Sequence, residues 1–289
     1  MDWATEIPLQ ALHGLVYGMV LFLVASGLTL IFGLMGVLNF AHGALYMLGA
    51  YFSYSMLRGT GNFWLSLLVA PLAVAVVGVF IERVFLRRVH AFGHAHELLL
   101  TFGIAYIIEE LVKWIWGNEP MSVAIPAALA GSVDFLGLTY PLYRLFILGC
   151  SVLVFLLLFA IFFGTRVGII IRAAVYNADM VSALGINTPL AFTLLFGVGA
   201  WLAGLAGVVG GPYLLTYPGM ASAILVDLFV VIVVGGMGSL EGAFLASLII
   251  GQMYSFGVLV IPQFAIVFQY LLMALVLTFR PHGLLGEKT

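Results

Sequence analysis

Charge is what this sequence lacks most. Of 289 residues only 8% are charged while 64% are hydrophobic, and the mean hydropathy is +1.23. A soluble domain carries roughly 25% charged residues, so this chain cannot clothe a water-facing surface and lipid must face most of its outside. Lysine is scarcer still, with Lys113 and Lys288 alone, and neither completes a phosphate-cradling P-loop, since Glu287 rather than glycine precedes Lys288. The chain therefore does not bind and hydrolyse ATP in the usual way. Cys150 is the single cysteine, which excludes a disulfide within the chain and a Cys-built metal site. Catalytic signatures are missing too. His94-Ala95-His96-Glu97 has the wrong order for a zinc-binding HExxH, and no GxSxG elbow occurs, so an intramembrane enzyme lacks its catalytic set. A net charge of −2 gives no reason to expect nucleic acid as a partner. Met1–Gln10 carries Asp2 and Glu6 but no basic residue, so the first apolar run reads as a retained span rather than a signal peptide.

What is present is a series of long apolar runs. A helix crossing a ~30 Å hydrocarbon core needs roughly 20 mostly apolar residues. Candidates are Leu9–Phe32, Leu38–Leu57, Phe63–Phe80, Leu98–Trp116 and Leu142–Phe163, then Leu190–Gly210, Ser222–Gly235, Ala243–Leu259 and Phe264–Phe279. The expectation is an all-α polytopic transmembrane bundle forming one domain over residues 1–289, with nine spans, or eight if one of the runs is re-entrant. Arg83, Arg87, Arg88, Arg166, Arg172, Arg280 and Lys288 fall on one side of the nine-span arrangement, and Arg58, Lys113 and Arg144 on the other. The positive-inside bias makes the first side cytoplasmic, with the loop from Gly117 to Pro141 external. Pro141 and Pro189 stand at helix starts, and Pro71 is read as the one proline inside a span. Small residues four apart, at Gly14/Gly18, Ala200/Gly204 and Gly238/Gly242, suit close helix packing in lipid.

Three segments depart from a plain bundle. In Gly33–Gly49, Asn39 and His42 interrupt an apolar stretch beside Gly36 and Gly43. Irregular backbone at membrane depth survives only against protein or a water-lined path, and a broken helix there is how transporters build a substrate route. The alternative is a short cytoplasmic turn with Asn39 as N-cap. In Val234–Gly242, four glycines with Ser239 read either as a tight turn or as a flexible helix break, with Glu241 unusual at a membrane edge. The internal loop Thr165–Thr188 is too polar to span. Within it Ala173, Ala174, Ala178, Val181, Ser182 and Leu184 form an amphipathic helix stopped at Gly185, followed by Asn187 or Thr188 as cap of the next span. Such a helix suits a partner's groove; resting on lipid is the alternative.

The remaining ionisable groups are few. Asp227 lies inside an apolar run, where an acid costs about 2.5–3.5 kcal/mol at the helix centre, and is a functional candidate by default. Glu109, Glu110 and Lys113 pair at helical spacing. His90, His94 and His96 lie in a basic loop, where hydration is the plainer reading and zinc the sharper one.

Four motifs occurring in order resemble one family over nearly the whole chain. They are Asn39-Phe40-Ala41-His42-Gly43 with Met47-Leu48-Gly49-Ala50-Tyr51, Arg172-Ala173 with Ala183-Leu184-Gly185-Ile186, Gly235-Gly236-Met237-Gly238-Ser239 with Gly242, and Arg280-Pro281-His282-Gly283-Leu284-Leu285-Gly286. The sequence is similar to branched-chain amino-acid ABC transporter permeases of the LivH type. The resemblance implies a bacterial inner-membrane subunit, without a cofactor of its own, that works beside a second homologous permease. Two cytoplasmic ATPase subunits that bind ATP, and a periplasmic binding protein that delivers cargo, complete the implied assembly. The substrate pathway is assigned to Asn39, Phe40, Ala41, His42 and Gly43, with Asp227 added because an acid in an apolar run is a functional candidate. The hinge falls to Gly235, Gly236, Gly238, Ser239 and Gly242, and ATPase coupling to Arg172, Ala173, Ala183, Leu184, Gly185 and Ile186. Two positions depart from the family pattern: proline is common where Glu241 stands, and a basic residue where Asp227 stands. Relatives carry urea, short amides or other amino acids as well. A self-sufficient proton-coupled carrier using Asp227 and the Glu109/Glu110 pair is the competing class, and it would need no docking helix at 165–188.

Overall fold

The computed structural model describes residues 3–36, 38–135 and 138–286; Asp2, Glu287 and Lys288 of the sequence reading lie outside them. Helices dominate, in the order α1 (Trp3–Met35), α2 (Ala41–Thr60), α3 (Phe63–Ile81), α4 (Arg87–Val89), α5 (His94–Trp116), α6 (Leu142–Gly164), α7 (Arg166–Tyr176), α8 (Ala178–Ala183), α9 (Thr188–Gly210), α10 (Met220–Gly235), α11 (Leu240–Val260) and α12 (Ala265–Phe279). Each of the nine apolar runs is a helix. Six of those helices meet a strict test of length and apolarity for crossing a membrane. The other three are α2 and α5, which carry more polar residues, and α10, which has 16 residues.

Helix ends differ from the sequence reading where apolarity does not mark them. The first helix opens at Trp3 and takes in Pro8, so Pro71 is not the only proline inside a helix. Beyond Ile81 the third continues through a π-helical turn at Glu82–Leu86, then α4, to Phe92. The 117–141 loop holds a hairpin, β1 (Ser132–Phe135) antiparallel to β2 (Leu138–Pro141), that periodicity had not revealed.

Burial orders the bundle. Along the most apolar stretch of α1, 83% of residues are buried, against 22% for α6 and 11% for α12. A helix that is hydrophobic all round belongs in the interior, and α1 packs against α6, α9, α10 and α11. Close approach depends on glycine. A Cβ on Gly18 would lie 2.6 Å from the Ser247 carbonyl oxygen of α11, and one on Gly27 would lie 2.5 Å from that of Gly199 in α9. Between α2 and α9, a Cβ on Gly207 would meet the Ala50 nitrogen at 2.8 Å and one on Gly49 the Gly204 Cα at 2.7 Å. Without a hydrophobic drive between helices in lipid, such contact is the main source of cohesion.

The bundle has two chemically distinct ends. Glu82 accepts a hydrogen bond from Thr193 near the start of α9, 2.6 Å away, which joins that start to the end of α3. All six described basic residues of the larger set follow helices that finish at this end. At the hairpin end, Trp116 donates to Ser55 at 2.7 Å and Lys113 pairs with Glu109 at 2.9 Å and Glu110 at 2.8 Å.

Replacing Gly207 with valine is expected to destabilise the bundle by about 1–3 kcal/mol or more through overpacking. Gly149→Ala, where a Cβ meets nothing within 4 Å, should leave the unfolding midpoint in detergent within a degree or so of wild type.

Candidate functional site

The break after α1 is real, and it lies inside the bundle. Gly36 takes φ +66° and ends α1. The next helix begins deep, because His42 reaches the Val24 carbonyl of α1 at 3.0 Å and Phe40 N–H donates to Thr101 Oγ1 of α5 at 3.2 Å. At ~1.5 Å per residue, Val24 is about 16 Å from the end of α1 and Thr101 about 10 Å from the start of α5. The chain thus turns back into the bundle before α2 forms, and Asn39 Oδ1 supports that start by accepting from Ala41 N–H at 3.0 Å.

A cavity of about 280 Å³ opens at this point, lined by Leu28, Leu38, Asn39, Phe40, Leu225, Val226 and Phe229. Its wall is apolar apart from Asn39, which is 2% exposed and whose Nδ2 has no hydrogen-bond partner. A buried amide donor without a partner is costly. Of the motif residues, Asn39 and Phe40 reach the cavity. Ala41, His42 and Gly43 are buried and do not line it. His42 Nε2 carries the proton, since a backbone carbonyl only accepts, and the imidazole staples α2 to α1. Gly43 lets α2 meet the backbone of α10, where a Cβ would lie 3.2 Å from the Ala221 carbonyl carbon.

Asp227 lies off this cavity. Leu225, Val226 and Phe229 face the cavity, and Asp227 points toward α1 and α12, where Tyr17 Oη donates to Oδ2 at 2.8 Å and Gln269 Nε2 to Oδ1 at 2.8 Å. Two neutral donors from two helices thus hold a half-buried carboxylate. Tyr17 and Gln269 went unnoticed in the sequence reading because one polar tip in an apolar run carries no periodic signal.

Two motifs far apart in sequence meet at the other end. Leu284 and Leu285 N–H donate to the Val234 and Gly235 carbonyls at 2.8 and 3.0 Å, satisfying the last acceptors of α10. Gly236 takes φ +104°, and a Cβ there would sit 2.6 Å from the Gly286 Cα. Ser239 caps α11 by accepting from Gly242 N–H at 3.0 Å, and Gly235 packs directly on Gly242. The glycine motif is therefore a packed turn strapped by the C-terminal segment, and none of its residues lines the cavity. Glu241 stands exposed in the first turn of α11, where a negative charge complements the helix dipole.

The 165–188 segment forms two helices instead of one, because Asn177 ends α7 and its Oδ1 accepts from Met180 N–H at 2.9 Å to cap α8. Asn177 thus acts as a cap within what read as one amphipathic pattern. Gly185 closes α8 with φ +84°, and Asn187, not Thr188, caps α9. Ile171, Ala174 and Val181 face inward, while Ile169, Tyr176, Met180 and Leu184 are exposed, Tyr176 by 93%. Ala173, Ala183 and Gly185 are exposed beside them and Ile186 is half-buried. Arg172 is turned back onto the end of α6, donating to the Phe162 carbonyl and lying over the Phe163 ring. At the start of α5, His90 and His94 both approach the buried carboxylate of Glu97 while His96 leans on Phe92. Among the described residues no group of three His, Cys, Asp or Glu is placed to hold a metal ion.

The chain matches the family described as the branched-chain amino acid transport system permease component over residues 10–277. It belongs to that family. It is 32% identical to the high-affinity branched-chain amino acid transport system permease protein BraD of Pseudomonas aeruginosa, covering 96% of this chain and 95% of the relative. It is 30% identical to LivH of Escherichia coli K12 over the same shares, and 29% identical to a probable LivH of Methanocaldococcus jannaschii over 82% of this chain and 76% of the relative. No solved structure matches the chain. The protein is thus a multi-pass membrane permease component whose motifs lie at the α1–α2 break, at the strapped turn, and on α7 and α8.

Gly236→Ala meets both a positive φ and the C-terminal backbone, whereas Gly61→Ala meets a φ of +67° with nothing within 4 Å. Thermal unfolding in detergent should show Gly61→Ala losing about 1 kcal/mol and Gly236→Ala losing at least ~2 kcal/mol.

Proposed function

We propose that this permease is one of two membrane subunits of an ATP-driven importer for branched-chain or similar amino acids. Cargo arrives from a periplasmic binding protein, and two cytoplasmic ATPase subunits supply the energy. The observation that carries the reading is the exposed apolar surface of α7 and α8. Ile169 and Tyr176 on one helix, with Met180 and Leu184 on the next, leave apolar area uncovered beside Arg166 and Arg172. Surface of this kind marks an interaction site. The polar flank lacks the run of basic residues that a lipid-anchoring helix uses, which favours a protein partner.

Orientation follows from charge. The end bearing α7 and α8 carries Arg83, Arg87, Arg88, Arg166, Arg172 and Arg280, so it is assigned to the cytoplasm of a bacterial plasma membrane. The hairpin end, with Glu119 and Asp134, then faces the binding protein. The cavity beside Asn39 belongs to the route; its aliphatic and aromatic wall suits a branched side chain and disfavours urea or short amides, which have little apolar surface to bury. Such a subunit needs no tight site, because strong binding would slow release.

Two measurements check this reading. An impermeant thiol reagent added outside should label a cysteine placed at Asp134 and spare one placed at Arg172; the reverse would invert the topology. Gly185→Pro, which breaks the end of α8 because proline cannot adopt φ +84°, or Ala183→Glu, which puts a charge on its exposed face, should leave the transmembrane bundle folded while reducing ATP-driven uptake at least tenfold. Wild-type uptake with normal ATPase binding in both variants would remove α7 and α8 from coupling.

A further inference from the structure

Asn39 is the one cavity-lining residue with a polar side chain; the rest, from α1, the α1–α2 break and α10, are leucine, valine or phenylalanine. Its amide is held in one sense. Ala41 N–H needs an acceptor, and Oδ1 supplies it at 3.0 Å, which leaves Nδ2 as the free end. The neighbouring backbone donors are taken, Phe40 N–H by Thr101 Oγ1 and His42 N–H by the Asn39 carbonyl at 3.1 Å. Of these donors Nδ2 alone has no partner among the described residues, although Asn39 is only 2% exposed. An orphaned donor in so dry a place costs about 1–3 kcal/mol. A ligand that brings an acceptor recovers it.

The charge of that ligand follows from the backbone. The 20-residue helix α2 starts here, deep in the bundle, with the positive end of its dipole at the cavity. Broken helices in transporters present N-termini of this kind to anionic groups. No acid lines the cavity, and Asp227 is turned away onto Tyr17 and Gln269. An acceptor that carries negative charge therefore satisfies the orphaned donor and the dipole together, and a carboxylate is the compact group that does so. The terminal torsion of asparagine is broad, so Nδ2 can follow such a ligand while Oδ1 keeps the cap. At about 280 Å³ the cavity lies at the lower end of ligand pockets, ~300–1,000 Å³. It admits one small molecule rather than a peptide.

We propose that Asn39 and the start of α2 bind the carboxylate of a free amino acid whose branched side chain lies against Leu28, Leu225 and Phe229. This deepens the importer reading and rests on it, making Asn39 a specificity-determining residue as well as a cap. The apolar wall alone accepts any small hydrocarbon; the amide restricts the cavity to molecules with an anionic head. Urea, short amides and simple amines lack that head.

The test uses the complete transporter in proteoliposomes. With Cys150 replaced by alanine and Val226→Cys at the cavity, alkylation by N-ethylmaleimide is followed as ligands are added. Leucine and 4-methyl-2-oxopentanoate, which share a carboxylate, should each slow alkylation several-fold. The decarboxylated analogue 3-methylbutylamine should not. In a second arm, Asn39→Asp with Val226 restored keeps an acceptor for Ala41 N–H but loses the donor. It should lower ATP-driven leucine uptake per assembled complex roughly tenfold or more, the loss expected for a hydrogen bond to a charged group. Protection by the amine equal to that by leucine, no protection by leucine, or wild-type uptake in Asn39→Asp would overturn the site. Equal protection is also what a cavity open to any apolar molecule, a lipid chain included, would give. ATP-driven uptake by the wild-type complex without carboxylate-dependent protection would defeat this site alone. Absence of that uptake would defeat the importer reading instead.

Discussion

In hydrocarbon, every backbone polar group must find its partner inside the protein, and the fold can be followed from that constraint. Where α1 stops at Gly36, the chain turns back about 10–16 Å inside the bundle, a depth set by the His42–Val24 and Phe40–Thr101 hydrogen bonds. The amides freed there are met within the protein, Phe40 by Thr101 of α5 and Ala41 and His42 by Asn39. At the end of α10 the same demand is met by a segment from the other end of the sequence, Leu284 and Leu285, laid on the Val234 and Gly235 carbonyls. Both devices need helices that touch backbone to backbone. Glycines at Gly18, Gly27, Gly49, Gly207 and Gly235 supply that contact.

These constraints divide the family motifs by task. The early motif is split between cavity and packing: Asn39 and Phe40 face the empty space, whereas His42 and Gly43 bind α2 to its neighbours. The glycine motif and the C-terminal motif are two halves of one turn. The motif on α7 and α8 is split again, with Arg172 closing the end of α6 and the flanking apolar residues left outward. A permease built in this way has an interlocked centre and an exposed apolar surface at one end, the arrangement on which the proposed importer reading rests.

Much of this was legible before any coordinates. The nine apolar runs, the basic asymmetry, the stop at Gly185 and the break near Asn39 all follow from local composition, because lipid imposes a strong local signal on the chain. What escaped was non-local. The partners of Asp227 lie 210 and 42 residues away in sequence, and apolar periodicity says nothing of depth, so α2 could not be seen to begin inside. The hairpin at 132–141 lies in a loop where hydropathy is silent. Asn177 was visible as a helix capper but sat within an amphipathic pattern that continued across it.

The central claim is that this chain moves amino acids only as part of an ATP-driven assembly, and reconstitution tests it most directly. Proteoliposomes holding the permease with the proposed second subunit, ATPases and binding protein should take up leucine only when ATP is supplied on the ATPase side. The permease alone should take up none under a proton gradient. Gradient-driven uptake by the permease alone, unaffected by ATP or by the other subunits, would contradict the account and make the protein a self-sufficient carrier.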